Sequence, residues 1–121
     1  TVSCVGGQIS SSTLSLSGPQ AEAFLATVNI DTAVLAATGY SAGAGFTVGS
    51  YTENSLKRRV IQKADKVILL IDRSKLGRTL PFTFASLSDI DVVICDAPLP
   101  EDFIQAARAA GTEVLQVQPA K

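Results

Sequence analysis

Residues 53–77 read ENSLKRRVIQKADKVILLIDRSKLG, and this stretch decides the fold class. A basic helix runs into a wholly apolar strand, VILLI, which ends on the charged loop Asp72-Arg73-Ser74-Lys75. A strand without polar alternation belongs in the middle of a sheet covered by helices, because both of its faces leave water. An acid and a cation three residues apart, just past such a strand, are placed to grip a small anionic ligand.

The neighbouring segments repeat the alternation of strand and helix. Ser50-Tyr51-Thr52-Glu53 has the S-x-x-E spacing of a capping box, so a helix should begin near Tyr51 or Thr52. Leu56, Val60 and Ala64 line one of its faces, and a strand over 66–71 follows. Residues 91–95 (DVVIC) form a second buried strand. Pro100 fits the first turn of the next helix, with Glu101 and Asp102 complementing the positive end of its dipole. Phe103, Ile104 and Ala107 face inward, Gly111 stops the helix, and 114–117 is a final strand.

Upstream, 32–37 (TAVLAA) reads as a buried strand, preceded by a helix over 19–28 that Gly18-Pro19 opens. Ala23, Phe24 and Val28 are its core candidates. Leu14 and Leu16 alternate with serines like a half-exposed strand, and 2–5 reads as a short strand closed by Gly6-Gly7. Residues 38–49 read as a glycine-rich loop. This order predicts an α/β domain, a three-layer Rossmann-like parallel sheet with right-handed crossovers. In such sheets the carboxyl ends of the strands form the ligand crevice. The glycine loop after Ala37, Asp72 to Lys75 after Ile71, and Asp96 after Cys95 all fall there.

Composition narrows the function. The chain has 121 residues, 46% of them apolar and 17% charged, enough for one globular domain with a real core. Ten basic residues against eleven acidic ones leave a net charge of −1, which argues against this segment holding nucleic acid by itself. No apolar run approaches the roughly 20 residues needed to cross a bilayer. Cys4 and Cys95 sit in apolar surroundings, VSCVGG and DVVICD, and read as two buried thiols in a reducing cytoplasm. Histidine is absent, which removes Ser-His-Asp triads, Cys-His pairs and most zinc sites. No metal or cofactor is expected. The lack of methionine and the start in VSCV suggest that residues precede Thr1, whereas the tail QPAK reads as a polar end.

Each candidate motif has a plain reading beside its functional one. Gly39, Gly43, Gly45 and Gly49 fit neither G-x-G-x-x-G nor the Walker pattern, so 38–49 is a flexible loop or an anion cradle. Lys57-Arg58-Arg59 is a solvated helix face or an anion contact, with Glu53 placed at i, i+4 to offset Lys57 near the helix start. Asp72 and Lys75 close their loop as an ion pair or meet a ligand. Asp89, Asp91 and Asp96 lack EF-hand spacing and suit capping and turn roles.

Taken together, these segments resemble the C-terminal effector domain of DeoR-family transcriptional regulators. The resemblance rests on Val5-Gly6-Gly7, Asp31-Thr32-Ala33, Gly45-Phe46-Thr47 and the Glu-Ala-x-Val-Lys-Arg counterpart Glu53-Asn54-Ser55-Leu56-Lys57-Arg58. It continues through Asp72-Arg73-Ser74-Lys75-Leu76-Gly77, 87–91, Ile94-Cys95-Asp96 and Gly111-Thr112-Glu113-Val114. Asn54 stands where the family pattern has a small Ala.

The resemblance implies the fold of sugar-phosphate isomerases and CoA transferases and a cytoplasmic bacterial regulator that forms homo-oligomers. Its effector would be a phosphorylated sugar or related metabolite. DNA would be bound only through an N-terminal helix-turn-helix domain outside this chain. The family's Asp-x-Gly-Thr-Thr loop is also absent, which implies leading strands upstream. Lys57, Asp72, Lys75, Glu53, Gly45 and Thr47 become the expected effector-binding residues. Lys57 and Lys75 would meet phosphate or hydroxyls, while Asp72 would accept from hydroxyls or orient Lys75. Two rival readings are a sugar-phosphate isomerase with Asp72 or Glu53 as base, and a structural oligomerisation domain.

Overall fold

The computed structural model of the chain describes residues 1–118. An antiparallel pair, β1 (Gln8–Ile9) and β2 (Leu16–Ser17), leads into α1 (Pro19–Leu25) and β3 (Ile30–Ala36). A hairpin of β4 (Gly39–Ser41) and β5 (Gly45–Val48) precedes α2 (Tyr51–Lys63) and β6 (Ala64–Ile71). A 3-10 turn at Arg73–Lys75, β7 (Phe82–Ala85) and a second 3-10 turn at Leu87–Asp89 follow. The order closes with β8 (Val92–Asp96), α3 (Glu101–Ala110) and β9 (Glu113–Val117). The polar tail expected over 118–121 lies, from 119 onward, outside the described residues.

The apolar stretch behaves as its sequence requires. β6 takes a central place in a four-stranded parallel sheet of order β3-β6-β8-β9. Ala33 registers with Val67, Leu69 with Val93, and Ile71 with Cys95. The side chains of this inner face meet β4, β5, β7 and α3 in one core, in which Phe46, Leu69, Val93 and Ala107 are wholly buried. Tyr40 ties the layers together. Its ring lies 4.8 Å from that of Phe46 and meets Phe103 edge-on at 5.0 Å, within the favoured range for aromatic pairs.

Local signals explain the helix ends. Ser50, in extended conformation, accepts from the Glu53 N–H and starts α2 at Tyr51. Pro19 opens α1, where its missing N–H costs nothing. Gly111 adopts φ 81° and stops α3, a left-handed conformation that suits glycine.

Several expectations are corrected. Residues 2–5 form no strand, since no described segment pairs with them and β-propensity without a partner yields no ladder. Cys4 is therefore exposed, while Cys95 is buried as expected. Burial, with Asp96 beside it, pushes the Cys95 thiol up to about 11. α1 is shorter than 19–28 and buries Ala21 and Leu25, leaving Ala23 and Phe24 exposed. The supposed loop 38–49 is a hairpin, extended into a three-stranded antiparallel sheet by β7. The glycines permit close backbone approach: a Cβ on Gly45, at φ +80°, would stand 2.5 Å from the Ala85 carbonyl oxygen.

The second face of the parallel sheet stays open among the described residues. Val34 is 59% exposed and Leu70 43% exposed, with Leu115 and Val117 beside them. The two faces of VILLI thus differ: Val67, Leu69 and Ile71 are buried, whereas Leu70 faces outward.

Candidate functional site

At the carboxyl end of β6 the chain leaves the sheet through Asp72. This residue caps the 3-10 turn: its Oδ1 accepts from the Ser74 N–H at 2.9 Å and from the Ser74 hydroxyl. The Ser74 hydroxyl is the main reason the Asp72 carboxyl titrates below the ordinary range, with Lys75 a lesser contributor. Lys75 Nζ lies 3.6 Å from Asp72 Oδ2.

The next strand supplies a second anchor. Asp96, ending β8, accepts from the Arg73 backbone N–H at 2.7 Å and from Arg73 Nε at 3.3 Å. The Arg73 backbone N–H is the leading cause of the lowered Asp96 carboxyl. Between these strand ends and that of β3 lies a cleft of about 410 Å³, with Ala36, Asp72, Lys75 and Asp96 among its walls. Leu70, Ile94 and Val117 give it an apolar floor.

Lys57 reaches the same edge from α2. Its ammonium donates to the carbonyl of Ala36 and stands 5.1 Å from the centre of the Phe84 ring. Burial pulls its pKa down, opposed by the nearby Glu53 carboxylate. The ion pairs among the described residues are Arg73–Asp96 and Lys75–Asp72, so Lys57 has no carboxylate within salt-bridge distance. A half-desolvated ammonium held by one carbonyl and a ring face is an incompletely neutralised charge.

The structure thus brings Lys57, Asp72 and Lys75 to one edge and separates the other three expected residues from it. Glu53 does not complete a capping box. Its carboxylate accepts from the hydroxyls of Thr13 and Ser15, both at 2.7 Å, and so ties the β1–β2 connection to α2. The Thr13 hydroxyl is the first cause of its lowered pKa. Gly45 packs against the Ala85 carbonyl. Thr47 is wholly buried, and its hydroxyl accepts from the Leu80 N–H at 3.0 Å.

Arg73 is the site residue that sequence reasoning missed. Its adjacency to Asp72 was the available signal, but its partner lies 23 residues away on another strand. The acids assigned to turns do serve there: Asp89 accepts from the Ser86 N–H and Asp91 from the Val67 N–H.

Residues 1–97 match the family model described as the DeoR C terminal sensor domain. Over 114 residues the chain is 36% identical to the HTH-type transcriptional regulator GlpR of Haloferax volcanii, covering 94% of the chain and 45% of the relative. It is 32% identical over 111 residues to the HTH-type transcriptional repressor GlcR of Bacillus subtilis, covering 92% of the chain and 43% of the relative. The glycerol-3-phosphate regulon repressor of Escherichia coli is 29% identical over 100 residues, covering 83% of the chain and 40% of the relative. The chain spans less than half the length of these curated relatives, each named as a transcription regulator or repressor. The chain belongs to the DeoR family and corresponds to its C-terminal sensor domain.

Proposed function

We propose that the chain is the sensing part of a transcription regulator, binding a phosphorylated sugar or related polyol phosphate at the strand ends of β3, β6 and β8. The observation that carries this reading is the cleft at these strand ends, walled by Asp72, Lys75 and Asp96, with Lys57 reaching the Ala36 carbonyl at the same edge from α2. Lys75 and Asp72 are both open to solvent, so their pair contributes little to stability. A phosphate oxygen offers a charge-assisted contact of about 1.5–3 kcal/mol. The balance favours turning Lys75 from Asp72 to the ligand, which frees the ionised Asp72 to accept from a hydroxyl.

The two residues expected as an isomerase base are not tuned for that role. Asp72 and Glu53 both have lowered pKa values, the wrong direction for a base poised near neutrality. Control of DNA binding would pass to a helix-turn-helix segment of the parent polypeptide, a reading supported by the names and lengths of the relatives. Homo-oligomerisation belongs to the same proposal, as does a cytoplasmic location; no described helix is long and apolar enough to cross a membrane.

A thermal-shift panel of glycerol 3-phosphate, glucose 6-phosphate and fructose 6-phosphate, each beside its unphosphorylated counterpart, tests the reading. One or more phosphates should stabilise the protein by about 2.7 kcal/mol at a hundredfold excess over Kd, and none should be converted. Turnover of a sugar phosphate would favour the isomerase reading. Failure of every phosphate to shift the parent protein would leave only a structural role.

A further inference from the structure

The turn that carries Lys75 is fixed before it by β6 and after it by the Gly77 N–H, which donates to the Tyr40 carbonyl at 2.7 Å. Between those points packing does not hold it, because none of Arg73, Ser74 and Lys75 is buried. Most of its hydrogen bonds are its own. The Lys75 N–H donates to the Asp72 carbonyl and the Leu76 N–H to the Arg73 carbonyl, both at 3.1 Å, while Asp72 Oδ1 caps Ser74. Such bonds set the shape of the turn and leave its direction relative to the sheet open. Among the described residues, the bonds that join Arg73, Ser74 and Lys75 to another element are the two from Arg73 to Asp96.

Asp96 is suited to be the fixed end. It registers with Val117 on β9, and the Ala97 N–H donates to the Val117 carbonyl at 2.8 Å, so its backbone belongs to the sheet. Its Oδ1 accepts from the Arg73 N–H at 2.7 Å, the short length of a charge-assisted bond. The Cys95 thiol donates to the same oxygen at 3.6 Å, and Oδ2 meets Arg73 Nε at 3.3 Å. Both oxygens are therefore engaged within the protein, although Asp96 stands in the cleft wall. The Arg73 side chain is 43% exposed, so its ion pair adds little and the N–H bond carries the anchorage.

We infer that Asp96 is a positioning residue for the strand-end site: it fixes the Arg73 backbone and so holds Lys75 toward the cleft, without meeting the ligand itself. Its consequence for binding rests on the effector reading, whereas the anchorage is a property of the free protein. A cation on a loose turn binds weakly, because the ligand must then supply the ordering that the protein lacks.

The first test needs no ligand. Nitrogen-15 relaxation of the parent protein should give backbone order parameters of about 0.85 at Ser74 and Lys75, falling to about 0.6 or below in Asp96→Ala. Leu69 and Val93 should keep theirs, as should the turn in Asp96→Asn, which retains an oxygen for the Arg73 N–H. Calorimetric titration with glycerol 3-phosphate, glucose 6-phosphate and fructose 6-phosphate then reads the effect on binding. Asp96→Ala should weaken whichever of these binds by about tenfold, a loss no larger than that of the Lys75 contact it acts through. Asp96→Asn should restore most of the affinity. In a Lys75→Ala background, Asp96→Ala should cost less than about threefold, whereas independent losses would multiply to within about twofold.

An unchanged turn in Asp96→Ala would overturn the inference. So would the full loss of affinity persisting in the Lys75→Ala background, the mark of direct contact with the ligand, or an Asp96→Asn loss as large as that of alanine. A loosened turn in a protein that binds none of the three phosphates would overturn the effector reading instead and leave the anchorage standing.

Discussion

Replacing Lys57 with alanine is expected to weaken sugar-phosphate binding by about 10- to 150-fold, equivalent to one charge-assisted contact of roughly 1.5–3 kcal/mol. Free stability should change less than binding does, because two consequences of the truncation oppose each other. The ammonium's contact with the Ala36 carbonyl and the Phe84 ring is lost, but so is the desolvation that pulls its pKa down. The wild-type affinity should also fall at alkaline pH. A lowered lysine pKa means that the cation is lost earlier on raising pH than in an unperturbed lysine, and the ligand needs that cation. Titrating both proteins across pH reads the two effects together. An unchanged affinity with a large loss of free stability would make Lys57 a structural residue. Lys75→Ala provides the companion case, in which only an exposed ion pair is given up and free stability should hardly change.

Leu69→Ala is expected to destabilise the fold by about 2–5 kcal/mol, a large share of the roughly 5–15 kcal/mol typical of a domain. Leu69 is wholly buried, with Leu35 and Val93 at its register positions on the flanking strands. The side chain cannot be removed without leaving a cavity. Leu70→Ala, one residue on, should cost far less, because the outer face of β6 is 43% exposed at that position. Denaturant unfolding of the two variants measures the difference. Equal losses would show that the outer face is covered in solution.

What was legible in the sequence was local. The VILLI run, the Ser50 cap and the Gly111 stop each act through neighbours within a few residues, so the parallel sheet and its helices could be read along the chain. The hairpin β4–β5 could not. Its glycines resemble a loop until Ala85 and Leu80 come alongside, and the apolar alternation of Phe82 and Phe84 was the overlooked sign of their partner strand. The error at 2–5 ran the other way: VSCV has strand composition without a described strand to pair with.

The site divides on the same line. Asp72 and Lys75 are three residues apart and form a self-contained capped turn, visible in their spacing. The reach of Lys57 to Ala36 spans 21 residues, and the link from Arg73 to Asp96 spans 23. Thr47 and Glu53 matched a family pattern, yet their hydroxyl and carboxylate are engaged by Leu80 and by Thr13 and Ser15. No residue type announces such distant partners.

The central claim is that the strand ends of β3, β6 and β8 receive a phosphorylated ligand. Its most direct test is a titration of the nitrogen-15-labelled protein with the sugar phosphate that gives the largest thermal shift, followed amide by amide. The backbone signals of Asp72, Arg73, Ser74, Lys75 and Asp96 should shift together and saturate with one Kd, with Ala36 and Ala37 following. Saturating shifts confined to other segments, with these residues unmoved, would contradict the account.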